Sequence, residues 1–407
     1  MPTKTRIFTS ENLALLAFIL LLALNLRGPV TSFSPLIPEI AANLSLNGSQ
    51  LGLITTIPLV CFALFALLTS KLVKHFDVYR ILLVGTGLIL LGMLCRAANG
   101  YSTLVVGVTL IGAGIAVGNT LLPSVLKRHF PLHIPSLTAL YVLMMSIGGF
   151  VIASSSVPLS LWYVESNHTE SGWRFALLCQ ASIVLLPVLA YFFIKQNKPT
   201  KHTQSDEPHH SDNKPVPPSK TSIWRSTTAW QVSGFLALNS FLNYVMVAWF
   251  PSILIESHFT QTTAGLNLGY MQLAGALPSL LLTPFINRKS VFPLLCLLAT
   301  STSTLSIFAL FLLPKLAVIW AITFGFSSSL GFILGLSLVA IKSKDTLEAA
   351  ELSGMAQLLG YSLAAIGPVT FGALHDQVGT WNPLLLILGL VAVMWSMIGW
   401  KVSRPNF

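Results

Sequence analysis

A permanent cation stands in the middle of an apolar run. The stretch "NLRGPVTS" (25–32) places Arg27 roughly midway between Leu13 and Glu39, with no other charge between them. At about 1.5 Å per helical residue, a span that begins near Leu13 carries the guanidinium near the centre of a bilayer. A charge at that depth costs several kcal/mol and faces a wet cavity or a partner. Gly28 and Pro29 follow at once, and they interrupt helical hydrogen bonding at the same depth. The chemistry on offer is charge-assisted hydrogen bonding to an anion or a strongly dipolar small molecule. The bland reading is that Arg27 caps carbonyls or bonds a neighbouring helix. Every Asp and Glu falls near a span end, so no acid stands at mid-depth to neutralise it.

Other polar residues within apolar runs are Asn119, Asn239, Ser240, Asn243, Tyr244, Gln272, Ser327 to Ser329, Gln357 and Tyr361. Gln357 and Tyr361 are four apart and share a helix face, with Gly354 making room there. We take Arg27, Asn119, Asn243, Tyr244, Gln357 and Tyr361 as the candidate substrate-binding set, with Tyr141 and Trp249 as aromatic lining, Trp249 being equally placed to anchor the outer interface. The alternative for each polar residue is interhelical hydrogen bonding, worth about 0.6 kcal/mol on average. The histidines lie in loops or at span ends and form no proton relay, though a coupling proton is admitted as a partner. Cys61, Cys95, Cys179 and Cys296 sit in apolar runs without metal-like spacing. No metal site and no cofactor are expected. A phosphate-binding glycine loop with lysine is absent, which argues against ATP-driven transport. No clustered nucleophile, base or metal ligands suggest an enzyme.

Long apolar helices must position these residues. The chain of 407 residues is 54% hydrophobic and only 9% charged, too few charges to coat a soluble surface. Apolar runs at 13–40, 50–70, 80–98, 102–126, 134–161 and 173–194, then 227–254, 262–286, 290–312, 316–341, 348–373 and 381–400, predict twelve transmembrane helices. A Pro-, Lys- and His-rich linker at 196–225 separates an N-terminal six-helix bundle (1–195) from a C-terminal one (226–407). The formal charge of +10 is a topology signal rather than a nucleic-acid one. With the N-terminus cytoplasmic, all 23 basic residues except Arg27, Arg96, Arg174 and Lys315 fall on the cytoplasmic side. Arg96, Arg174 and Lys315 then lie near the outer side, and both termini and the linker are cytoplasmic.

The halves carry one register. Pro38 and Gly52 recur as Pro251 and Gly265, and the same displacement carries Gly112, Gly118 and Ser124 onto Gly325, Gly331 and Ser337. That predicts an all-α membrane protein of two six-helix parallel repeats, with substrate bound at the midplane between them. Under the same displacement Arg27 falls on Ser240, so the cation is one-sided.

Several segments resemble the cyanate permease and 2-nitroimidazole transporter family of the major facilitator superfamily. They are "ALNLRGPVTSFSPLIPEI" (23–40), "GIAVGNTLLPSVLKRHFP" (114–131), "YVMVAWFPSIL" (244–254), "AGLNLGYMQLAG" (264–275) and "AELSGMAQLLGYSLAAIGPVTFGALHDQVGTW" (350–381). The resemblance implies a secondary transporter of small planar, polar or anionic molecules in the bacterial inner membrane. A drug-type exporter of weakly polar compounds is the rival, and monomer is the default state. The loop after the second span, "SKLVKHFDVYR" (70–80), has Ser70 and Lys74 where the superfamily usually has Gly and Asp. Arg27 matches the family's in-membrane arginine, with Arg-Gly-Pro replacing the more usual Arg-Pro.

Overall fold

The computed structural model describes residues 10–404 apart from 74, 99, 131–132, 197–222, 283–284, 286–290 and 344–345. Most of the expected linker, the first nine residues and Lys74 of the loop motif lie outside that set. Among the described residues, eleven helical stretches are long and apolar enough to cross a membrane. The eighth span is the exception. It splits into Gln261–Ala274 and Leu277–Leu281 around Gly275 and Ala276, a break the apolar run at 262–286 does not announce.

The other spans are the second (Gly48–Leu72), third (Val78–Arg96), fourth (Tyr101–His129), fifth (Ile134–Asn167), seventh (Thr227–Glu256), ninth (Phe292–Leu312), tenth (Ala317–Lys342), eleventh (Thr346–Val378) and twelfth (Asn382–Ser403). The sixth begins at Trp173–Ala181 and ends at Leu185–Gln196. Side-chain oxygens set several starts. Asp77 accepts from the Tyr79 and Arg80 amides, Ser226 from Ala229, and Thr260 from Thr263.

The first span runs Ser10–Leu24, breaks over Asn25 to Arg27, restarts at Gly28–Thr31 and finishes as Ile37–Leu44. Its break is staked by three hydrogen bonds, two with the fifth span and one with the third. Thr31 Oγ1 donates to Gly149 O at 3.4 Å, and Ser156 Oγ donates to Ser32 O at 3.2 Å. Arg96 Nη1 donates to Pro29 O at 2.6 Å. The first and fifth spans cross closely at glycines: a Cβ on Gly148 would strike the Leu24 carbonyl, and one on Gly28 would push aside the end of the Ile152 side chain.

The sequence repeat is a repeat of contacts. Gly112 packs on Pro58 and Cys61, and Gly325 on Met271. Gly118 packs on Leu26, and Gly331 on Asn239 and Trp395. The displacement that joins the glycines also joins Pro58 to Met271 and Leu26 to Asn239. Each half carries a carboxylate clamp too. Glu39, closing the first span, accepts from the Gly172 and Trp173 amides at 2.6 and 3.0 Å and from Ser160 and Ser171. Glu256, closing the seventh, accepts from the Trp381 amide at 3.0 and 3.1 Å and from Thr380.

One end of the bundle is sealed. Along the second and eleventh spans, Cβ positions on Gly48 and Gly52 would lie 2.5 and 2.6 Å from the Gly372 and Pro368 carbonyl oxygens. Thr56 Oγ1 donates to Ala365 O at 2.8 Å. Asp376 caps the second span from across this seam, its oxygens 2.9 and 3.2 Å from the Gly48 and Ser49 amides. The fifth and eighth spans close the other side, with Gly269 against Phe150 and the Phe150 and Tyr270 rings stacked at 5.8 Å. Toward the other end the eleventh span leaves its neighbour. Nothing lies within 4 Å of a Cβ on Gly354, and Gln357 is exposed.

Candidate functional site

Arg27 is the last residue of the break in the first span, with φ −120° and ψ −41°. It is partly buried, and its side chain makes no hydrogen bond or ion pair with any described residue. Its guanidinium stands within electrostatic reach of Tyr244 and Tyr141, and Tyr244 in turn of Tyr361. Tyr361 also meets Phe62 of the second span edge-on at 6.4 Å. Two broken helices face each other here. A Cβ on Gly275, at the break of the eighth span, would sit 3.4 Å from Arg27 Nη1. The absent side chain leaves the guanidinium its space. A Cβ on Gly149 of the fifth span would lie 3.6 Å from Arg27 Cδ.

The six candidates do not share one set of partners. Arg27, Tyr244 and Tyr361 gather around the break. Asn119 joins through Tyr141, whose hydroxyl points at Asn119 Oδ1 across 3.5 Å, the outer limit of a hydrogen bond. Asn243 accepts from Ser328 Oγ of the tenth span at 3.1 Å, the bond of a helix contact. Gln357 is exposed and donates to Ser353 of its own helix at 3.0 Å. Trp249 is buried and donates to Pro368 O at 2.9 Å, so it stands inside the bundle.

Sequence reasoning passed over two neighbours of the site. Gly275 and Pro278 reproduce, more loosely spaced, the Gly28-Pro29 signal of the first span. Arg96 ends the third span, where a basic residue is expected to reach the outer side. Its side chain turns inward instead and is fully buried. The Pro29 carbonyl at the break draws it there. Among the described residues no cluster of His, Cys, Asp or Glu could hold a metal, and the four cysteines are unpaired.

A long-helix bundle with a free cation at facing helix breaks, sealed at one end, has the architecture of a multi-pass membrane transporter. Known proteins agree. The Major Facilitator Superfamily model matches residues 13–368. The 2-nitroimidazole transporter of Escherichia coli (strain K12) is 33% identical over 407 residues, covering 100% of this chain and 99% of that protein. The cyanate transport protein CynX of the same strain is 26% identical over 369 residues, covering 90% and 91%. Among solved structures, the nucleoside transporter NupG superposes with a TM-score of 0.75 at 14% identity, over 97% of this chain and 100% of that one. The chain belongs to the major facilitator superfamily, in its branch of cyanate and 2-nitroimidazole transporters.

Proposed function

We propose that the protein is a secondary active transporter of a small polar or anionic solute, cyanate- or nitroimidazole-like, in the cytoplasmic membrane. Residues 1–195 rock against 226–407, and the solute binds between them at Arg27. The single observation that carries this reading is the unpartnered Arg27 guanidinium at a helix break, with no described carboxylate to neutralise it. Tyr244, Tyr361 and Tyr141 orient the solute, and Asn119 steadies Tyr141. The placement of Lys and Arg supports cytoplasmic termini. The end sealed by Gly48, Gly372 and Asp376 then faces outward, and the open end faces the cytoplasm.

Uptake of 2-nitroimidazole and of cyanate into proteoliposomes tests the reading, with wild type beside Arg27→Gln. Flux that disappears in the variant supports it. Equal flux of both proteins would sink it and favour the exporter of weakly polar compounds, which the tyrosines and Phe62 would serve without a cation.

A further inference from the structure

Arg27 comes from the half of the chain before the linker. A buried, unsatisfied side-chain donor near it comes from the other half. Gln272, in the last turn before the break of the eighth span, is 2% exposed, and its Nε2 has no hydrogen-bond partner. A buried amide without a partner is costly and rare. Gln272 and Arg27 flank the same glycine. A Cβ on Gly149 would lie 3.2 and 3.3 Å from Gln272 Cβ and Cγ and 3.6 Å from Arg27 Cδ. Three residues on, at the break itself, a Cβ on Gly275 would lie 3.4 Å from Arg27 Nη1.

The geometry points to Gln272 as a second substrate-binding residue: its amide donates to one oxygen of a planar, charge-delocalised group, carboxylate or nitro, whose other oxygen takes Arg27. The inference rests on Arg27 being the substrate cation. The donor set defines the ligand class. A guanidinium offers parallel N–H bonds in one plane, which a flat two-oxygen group matches. The amide adds two donors, and no described carboxylate competes for them. The backbone of Gly149 and Gly275 comes close to the two side chains, so the oxygen-bearing end must be small. Because the two donors belong to different halves, a bound oxygen pair ties the halves together. Occupancy thereby acts on the same interface that must move during transport.

Thermal unfolding of the purified protein with nitrate and with 2-nitroimidazole tests this. Wild type should gain about 2–4 °C at saturating ligand. Arg27→Gln and Gln272→Leu should each lose that gain. Gln272→Glu should unfold at higher temperature than wild type without ligand and ignore added ligand, since its own carboxylate would neutralise Arg27. A wild-type-sized response in Gln272→Leu, with none in Arg27→Gln, would remove Gln272 from the site and leave Arg27 in it. A response retained by Arg27→Gln would overturn the underlying reading. Wild type indifferent to both probes would overturn the ligand class. If the leucine variant does not fold, the glutamate variant decides: a lower unfolding temperature with an intact ligand response marks Gln272 as packing.

Discussion

Two arginines lie inside this bundle, and they settle the same cost differently. Arg96 is wholly enclosed. It spends Nη1 on the Pro29 carbonyl, while Nε and Nη2 stay unpaired beside a small cavity lined by Phe33, Ile54, Pro58 and Val108. Arg27 is partly exposed and spends nothing on the protein. Both carry unused hydrogen-bonding capacity, so burial and spare donors do not by themselves mark a binding site. Access does. Arg96 is fully buried among the first, second and fourth spans, whereas Arg27 keeps part of its surface open beside the break of the eighth. The two are also linked, because the carbonyl that Arg96 grips belongs to the short helix that begins right after Arg27. One cation holds the backbone that aims the other.

That contrast can be broken at Arg27 most dramatically. Arg27→Gln should cut proteoliposome flux about 100-fold or more, the scale of losing a desolvated charge pair, while unfolding near the wild-type temperature. Arg96→Leu should do the reverse in kind. It should destabilise the fold by about 1.5–3 kcal/mol, measured by thermal or denaturant unfolding, while the folded fraction still responds to ligand. Equal stability of wild type and Arg96→Leu would show that the Pro29 bond holds nothing. Gly275→Ala sharpens the access half of the comparison. A methyl 3.4 Å from Nη1 should weaken ligand affinity about 10-fold with little change in stability. The smallest effect belongs to the sealed end. Asp376→Ala removes a cap worth about 0.5–2 kcal/mol. In a background without native cysteines, it should speed labelling of Thr55→Cys by a membrane-impermeant maleimide a few-fold. An unchanged rate would mean the glycine seam seals without its carboxylate.

The sequence displays those features whose signal is local. Gly-Pro directly after Arg27 announces a break, and the break is there. The glycine displacement between halves survives as matched contacts, because glycines at close helix crossings cannot be replaced without a clash. What depends on helix rotation was not legible. Tyr141 and Gln272 reach Arg27 only because the fifth and eighth spans turn those faces toward the first. Asn243 and Gln357 look equally available in the sequence, yet Ser328 and Ser353 occupy them. Arg96 shows the sharpest limit. A side chain at a span end can reach outward or inward, and the choice was made by a carbonyl that a proline break presents 67 residues earlier in the chain.

The clamps at Glu39 and Glu256 have a consequence for assembly. Each ties the end of its half's opening helix to the start of that half's closing helix. During synthesis Glu39 is made long before Gly172 and Trp173. Ser160 of the fifth span is made first, and the two amide partners arrive only with the sixth span. The clamp joins the sixth span to the first, and the same closure is repeated when Trp381 reaches Glu256. Each half is thus latched from its last helix back to its first.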